Sequence, residues 1–228
     1  QSYPGFRHGD QSIQFIFDGY YLERKIIVIT IALSKGRQLE DFISFLKQQK
    51  LTEWYTALES ISRELVVETK DTRFLLVKGE DVPVYVEEGV ADLGITGSDV
   101  LYEQNRQINN LMDLPFGYCH FALAAKTEKE TYPIVATKYV KYTQDYFDSI
   151  RQPVKIIYLK GSVELAATID MADAIMDIVQ TGTTLRENGL KEQVCLDKIN
   201  ARLIANKHAF FSKNSEIQTI INQLKKRG

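Results

Sequence analysis

The stretch AIMDIVQTGTTLR, residues 174–186, decides how this chain of 228 residues is read. Ala174 to Val179 is an apolar run of strand length, of the kind that is buried on both faces. Asp177 interrupts it near its C-terminal end. The loop Thr181-Gly182-Thr183-Thr184 follows, and Leu185-Arg186 opens a helix. Strand, glycine-bearing loop and helix in that order form the repeating unit of an α/β protein. The same unit can cradle an anion. Gly182 lets backbone N–H groups close on an oxyanion with no Cβ in the way, the threonine hydroxyls add donors, and the helix start adds its unpaired amides. Asp177 then faces the pocket as an acceptor for vicinal sugar hydroxyls, so the pattern suits a 5-phosphate below and a ribose diol above. The string also describes an ordinary capped turn between strand and helix, and the residues alone leave both readings open.

Outward from this unit the alternation recurs. IIVITIAL (26–33) is apolar and β-branched, and Leu39, Phe42, Ile43 and Leu46 after it fall on one helical stripe. RELVVET (63–69), RFLLVKG (73–79) and ADLGITG (91–97) read as strands. Pro83 suits the first turn of a short helix, and Ser98 or Asp99 is placed to cap the next one. A second series begins after Leu111. GYCHFALAA (117–125), IVATKYV (134–140) and VKIIYL (154–159) read as strands, with a helix expected near 143–150 and another from GSVELAAT (161–168). VCLDKINARLIANK (194–207) reads as one long strand. NSEIQTIINQLKKR (214–227) closes as a helix whose buried stripe is Ile217, Ile220, Ile221 and Leu224, started by an Asn214 or Ser215 cap. Strands alternating with helices in two series predict α/β architecture, largely parallel, in two lobes with a cleft between them. Residues 1–25 show no sustained period and are set aside as an N-terminal extension or a remnant appended to the native chain.

Composition bounds the chemistry. Hydrophobic residues at 44% and charged residues at 25% are ordinary for a globular chain. Twenty-eight basic against thirty acidic residues give a net charge of −2, so no global field recruits nucleic acid or an anionic membrane. Any anion must be held by a local site. Cys119 and Cys195 form no CxxC pair, which points to a reducing cytoplasm. His8, His120 and His208 lie in separate regions, and nothing has the spacing of a zinc site. No apolar run is long enough for a membrane span, and no secretory signal is recognisable.

Three further segments could carry chemistry. Ser34-Lys35-Gly36-Arg37 follows a buried strand, where Arg37 offers a bidentate fork and Lys35 a point charge to polyphosphate oxygens. Gly161-Ser162-Val163-Glu164 places a carboxylate at a helix start, where Glu164 and Asp177 could bracket one ribose. Either could instead be a solvated turn or a capped helix; the tendency of ligands to bind beyond the carboxyl ends of strands favours function. In Asp92-Leu-Gly-Ile-Thr-Gly-Ser-Asp99, close packing explains Gly94 and capping explains Asp99. Cys119 and His120 point to opposite faces of a strand, which argues against a nucleophilic pair. Trp54 and the aromatic stretch 139–147 read as packing residues.

Taken together, these segments resemble the short-form ATP phosphoribosyltransferases of histidine biosynthesis. The resemblance runs in order through IALSKGR (31–37), DVPVYVEEGVADLGITGSDVL (81–101), ATKYV (136–140), GSVELA (161–166), ADAIMDIVQTGTTLRENGL (172–190) and ARLIANK (201–207). It implies two lobes of the type II periplasmic-binding-protein kind, with the active site in the cleft. Lobe one would comprise 26–112 plus 196–228, and lobe two 113–195. The implied reaction is displacement of pyrophosphate from C1 of phosphoribosyl pyrophosphate by N1 of the ATP adenine. The alternative is a two-lobed binding or sensor protein without catalysis.

The resemblance also assigns roles. Thr181, Gly182, Thr183 and Thr184 would hold the 5-phosphate, and Asp177 and Glu164 the ribose hydroxyls. Lys35 and Arg37 would face the polyphosphates and Arg63 matches an active-site arginine of short-form members, the three forming the catalytic set, with Asp99 a candidate on the ATP side. Mg2+ would arrive on the pyrophosphate, with no metal ligand set from the protein. The chain stops after one helix, as short-form members do, which implies a hetero-oligomer with a regulatory subunit resembling histidyl-tRNA synthetase. Asp170, where many members have glycine, and Ala167, where proline is usual, depart from the family pattern.

Overall fold

The computed structural model describes residues 28–225. The expectations for residues 1–25 lie outside them. The chain opens with β1 (Ile29–Ser34), α1 (Arg37–Gln48) and α2 (Thr52–Glu59). β2 (Val66–Glu68), β3 (Thr72–Val77), α3 (Val82–Glu87), β4 (Leu93–Gly97), α4 (Ser98–Gln104) and β5 (Asn109–Asp113) follow. The second series is β6 (Cys119–Ala125), β7 (Ile134–Thr137), α5 (Val140–Ser149), β8 (Lys155–Tyr158), α6 (Val163–Thr168), β9 (Ala174–Val179), α7 (Thr183–Glu187) and β10 (Lys191–Ile199). β11 (Ala201–Ala205), α8 (Lys207–Ser212) and α9 (Asn214–Lys225) complete it.

The strands form two sheets. The first has the order β2-β3-β1-β4-β11-β5 and the second β10-β6-β9-β7-β8. The parallel cores are β3-β1-β4 and β9-β7-β8. Pairing is more mixed than the alternation of strand and helix suggests. β6 and β10 run antiparallel in the second sheet, and β2, β5 and β11 in the first. The physical reason is connectivity: β6 arrives from the other lobe without a crossover helix, so it lies against β9 in the opposite sense.

The expected long strand at 194–207 is two strands in two sheets. β10 stays paired to β6 as far as Ile199 opposite Cys119, and β11 pairs with β4 from Ala201 opposite Gly97. The second crossing therefore falls at Asn200 rather than between residues 195 and 196. Both crossings are tied together there, since Leu114 N–H donates to Ala201 O and Ala201 N–H donates to Phe116 O.

Each sheet has its own core. In the first lobe Phe42, Phe45, Leu46, Trp54 and Phe74 pack with Ile217, Ile220, Ile221 and Leu224 of α9. The α9 stripe expected from its spacing is thus the buried one. Trp54 meets Phe74 edge-on, ring centres 5.3 Å apart, as a packing residue should. In the second lobe Phe121, Tyr139, Tyr142 and Phe147 cover one face, and Ala122, Ala124, Ala166, Ala167 and Leu185 the other.

Several expected caps do not form. Ser162 makes no side-chain cap bond, Ser98 and Asp99 lie inside α4 with Gly97 at its N-cap rather than capping it, and Asn214 Nδ2 donates back to Phe210 O of α8, an element the sequence pattern did not signal. Asp170 adopts φ +60°, the left-handed conformation that explains a glycine preference there. Its carboxylate takes an ion pair from Lys126 at 2.8 Å.

Candidate active site

The C-terminal ends of the parallel strands in both sheets converge on the gap between the lobes. β1 ends at Ser34-Lys35, β3 at Lys78, β4 at Thr96-Gly97 and β7 at Lys138, and all of these line one cavity of about 390 Å³. Because β6 runs against β9, its beginning rather than its end reaches the cavity, and Cys119 lines it too. Open α/β sheets place their ligands at this end of the strands.

The first-lobe wall is cationic and wet. Lys35, Arg37 and Lys78 are exposed, and Lys138 joins them from the second lobe, half-buried. Lys35 and Arg37 were expected here. Lys78 and Lys138 were not, although Leu76-Val-Lys-Gly79 repeats the Leu33-Ser-Lys-Gly36 pattern of a strand ending in lysine and glycine. Arg63 does not line the cavity. It is exposed on the loop before β2, where its N–H donates to Glu64 Oε2. Since Leu76 N–H donates to Leu65 O, that loop stands at the same end of the sheet as Lys78, but on its outer edge.

The floor is acidic. Asp99 is buried beside Gly97, where a Cβ would stand 2.0 Å from Asp99 Oδ1 and would push the carboxylate from its place. Asp99 does not cap α4. Its Oδ2 accepts a 2.9 Å hydrogen bond from the Tyr139 hydroxyl across the cleft. Burial and the Asp99 charge hold that hydroxyl protonated, far above the ordinary tyrosine range. Burial, with Asp99 nearby, pushes the Cys119 thiol up to about 11, so it stays a neutral thiol and no cysteine–histidine nucleophile forms.

The second-lobe wall carries the sugar-type pattern. Asp177 is pushed up to about 6, chiefly by burial and further by the charges of Glu164 and Asp99, against the Ile178 N–H and Lys138 that lower it. Glu164 is therefore close enough to Asp177 for its charge to act on it, though neither residue lines the cavity. Beyond them lies the loop 181–184, which flanks the cavity rather than lining it. Gly182 has φ +68°, a conformation that residues with a Cβ rarely adopt, so the position calls for glycine. Arg186 clasps the loop, donating to Thr181 O at 2.9 Å and to Thr183 Oγ1 at 3.0 Å. Thr181, Thr183 and Thr184 remain exposed, with Thr181 Oγ1 and Thr183 Oγ1 3.2 Å apart. The arrangement can neutralise a polyphosphate on one wall and grip a phosphorylated sugar on the other.

The lobes are bridged at the rim of the cleft. Glu103 of α4 accepts the N–H groups of Lys141 and Tyr142 at the start of α5, at 2.7 and 3.1 Å. Tyr102 donates to Asp145 at 2.6 Å, and Lys141 Nζ sits 3.9 Å from the Tyr102 ring centre. Tyr139 and Tyr142, read as packing residues, therefore lie in a bridging segment as well as in a core.

Comparison with known proteins places this geometry. A family model described as ATP phosphoribosyltransferase, HisG, matches residues 78–226. An ATP phosphoribosyltransferase of Staphylococcus carnosus is 56% identical over 198 residues, covering 86% of this chain and 97% of its own. The solved ATP phosphoribosyl transferase (HisG:HisZ) complex from Thermotoga maritima superposes with a TM-score of 0.72 at 30% identity, over 87% of this chain and 97% of that one. The periplasmic aliphatic sulphonate binding protein SsuA of Escherichia coli shares the fold at a TM-score of 0.60 and 12% identity, covering 87% of this chain and 71% of that one.

Proposed function

Since this chain belongs to the ATP phosphoribosyltransferase family, we propose that its cleft divides that family's reaction between two walls, sugar donor on the second lobe and polyphosphate on the first. The activity is the first step of histidine biosynthesis. N1 of the ATP adenine displaces pyrophosphate from C1 of phosphoribosyl pyrophosphate, giving N1-(5-phosphoribosyl)-ATP. The binding-protein alternative has only a shared fold behind it.

The chemistry asks for positioning and charge neutralisation more than for a proton relay, because positive charge develops on the ribose as pyrophosphate leaves. The backbone and hydroxyls of Thr181, Gly182, Thr183 and Thr184 take the 5-phosphate. Asp177 and Glu164 accept the ribose hydroxyls, fixing C1 toward the gap. Lys35, Arg37, Lys78 and Lys138 receive the departing pyrophosphate and the triphosphate of ATP. Asp99 lies at the ATP side, held by Tyr139. Arg63 belongs to the same basic set by resemblance, and from its outer loop it meets the ligand only after a loop movement. The observation that carries the assignment is Asp177: a carboxylate that burial makes hard to ionise, directly before the Gly182 loop and near Lys138, with its chain neighbour Ile178 lining the same cavity as Lys35, Arg37 and Lys78.

Magnesium fits this set as a passenger on the pyrophosphate. The cavity offers the hard carboxylate oxygens of Asp99 among the cations Lys35, Arg37, Lys78 and Lys138, a donor set suited to a partly hydrated Mg2+ shared with phosphate oxygens rather than to an all-protein cage. Bound there, it would add charge neutralisation at the leaving group. The T. maritima complex pairs HisG with HisZ, and we extend that to this chain as a hetero-oligomer with a regulatory subunit resembling histidyl-tRNA synthetase. We take the lobes as 28–113 with 201–225, and 119–199, and the compartment as the cytoplasm, in keeping with two free thiols.

The test is to mix ATP, phosphoribosyl pyrophosphate and Mg2+ with the chain in the presence of pyrophosphatase, and to follow the absorbance of the N1-substituted adenine. Growth of product that needs all three components supports the reading. Tight Mg2+-dependent binding of the sugar donor with no product, in the presence of a regulatory subunit, would overturn it. For the phosphate loop, Thr181→Val should raise KM for the sugar donor by about 5–10-fold, the worth of one neutral hydrogen bond. Unchanged KM would remove Thr181 from the site.

A further inference from the structure

We propose that His120, Glu192 and Cys195 form a binding site for one borderline-soft divalent transition metal ion, with Zn2+ as the representative, on the face of β6 and β10 opposite to Cys119. The side-chain donor atoms of the three residues lie within 4.8 Å of one another. His120 Nε2 is 2.8 Å from Glu192 Oε2, so two of the three donors already share one point.

The backbone explains why they meet. Glu192 and Cys195 are three apart, and in a regular strand they would face opposite sides of the sheet. A register shift between Glu192 and Val194 inserts an extra residue, so Glu192 pairs with Ala124 and Cys195 with Ala122. Positions 120, 122 and 124 share one face of β6, and the bulge brings both β10 donors onto it. Cys119, on the opposite face, turns to the cleft cavity. Sequence spacing could not show this, because the three donors come together only through a bulged strand pairing.

The donor chemistry selects the ion. Imidazole, carboxylate and thiolate suit Zn2+ or Co2+, and not Mg2+, which takes oxygen ligands. Ligands at about 2.0–2.3 Å from a tetrahedral ion stand about 3.4 Å apart, between the shortest and the longest separations seen here. Small side-chain rotations therefore close the site. Glu192 and Cys195 are exposed, leaving the fourth position to water. Binding displaces the Cys195 thiol proton to solvent and forms a metal–sulfur bond, with no change of oxidation state. The charge would sit next to the 181–184 loop, since a Cβ on Gly182 would lie 3.5 Å from Glu192 Oε1. A bare carboxylate there repels an incoming phosphate, and a metal ion on it removes that repulsion.

The experiment uses the full chain and Co2+ as the probe, with Zn2+ as competitor. One Co2+ per chain should bind with a thiolate-to-cobalt charge-transfer band in the near ultraviolet, and Zn2+ should abolish it. Cys195→Ser should remove the band and weaken binding at least tenfold. His120→Ala and Glu192→Gln should weaken it to a similar degree. Cys119→Ser should leave the band intact, and circular dichroism should report each variant folded. A band that survives Cys195→Ser, or Co2+ binding that is indifferent to His120 and Glu192, would overturn the site. So would the absence of saturable binding. These readouts do not depend on catalysis and separate the site from the reading of the cleft.

Discussion

The two walls of the cleft solve opposite problems with opposite materials. The first-lobe wall is built from exposed cations on strand ends, Lys35, Arg37 and Lys78, free to follow a ligand. The second-lobe wall is built from groups held in place. Asp177 is pushed up to about 6 by burial, and the Gly182 loop is clasped by two Arg186 hydrogen bonds. Solvated charges contribute modestly and adapt easily, whereas buried ones are specific and costly. A leaving pyrophosphate needs the first, and a ribose whose C1 must be aimed needs the second.

The largest effect should come from breaking the rigid wall. Asp177→Asn keeps the shape and removes the carboxylate that accepts hydroxyl protons, so kcat/KM should fall about 100-fold, the loss of a hydrogen bond to a charged acceptor at a desolvated point. The same variant should be more stable. Asp177 has a folded pKa of about 6 against an ordinary carboxylate value of 3.8. Because the folded value is raised, its favourable contribution is complete below pH 4 and is lost as pH climbs through 6. The wild type should therefore lose stability across that window, by at most about 3 kcal/mol, while Asp177→Asn does not. Denaturant unfolding at pH 4 and pH 7.5 checks this. Equal pH dependence in the two proteins would mean that Asp177 is not desolvated.

Next in size is the soft wall. Arg37→Ala should lower kcat/KM about 10–50-fold through the loss of charge-assisted contacts, with Lys35→Ala weaker because a point charge has neighbours to replace it. Lys78→Ala tests whether the repeated strand-lysine-glycine ending is functional. The soft wall should also be the salt-sensitive one. The fall in activity between about 0.05 and 0.5 M salt should shrink in Arg37→Ala and persist in Asp177→Asn. Equal salt slopes in both variants would erase the distinction between the walls.

How much of this was legible depended on whether the signal was local. The strand, loop and helix at 174–186 and the α9 stripe of Ile217, Ile220, Ile221 and Leu224 are local patterns, and both stand in the structure as read. The break at Asn200 was not legible, because residues 194–207 read as one strand with no glycine or proline to divide it, and only pairing partners on two different sheets do so. Lys138 and the Asp99–Tyr139 contact were missed for a related reason. Each depends on residues from different lobes meeting, and Tyr139 on its own looks like any core aromatic. Arg63 shows the reverse, a residue prominent in the family pattern that stands outside the cavity of this chain.

The bridge between the walls should give the smallest effect on rate and the clearest effect on stability. Tyr139→Phe leaves the ring packed edge-on against Phe121, ring centres 5.0 Å apart, and removes only the hydroxyl that Asp99 accepts. Asp99 is buried, so its orphaned oxygen should cost about 1–3 kcal/mol of stability. Turnover should fall only about 2–5-fold, a barrier change of about 1 kcal/mol or less, since neither group touches the reacting atoms in this reading. Glu103→Gln keeps an acceptor for the α5 amides and removes the charge that favours the helix start, for a loss of about 0.3–1 kcal/mol. If Tyr139→Phe instead cut kcat as deeply as Asp177→Asn while leaving stability unchanged, Asp99 and Tyr139 would belong to the reacting centre. The contrast between a rigid sugar wall and a soft phosphate wall would then give way to a single cross-lobe site.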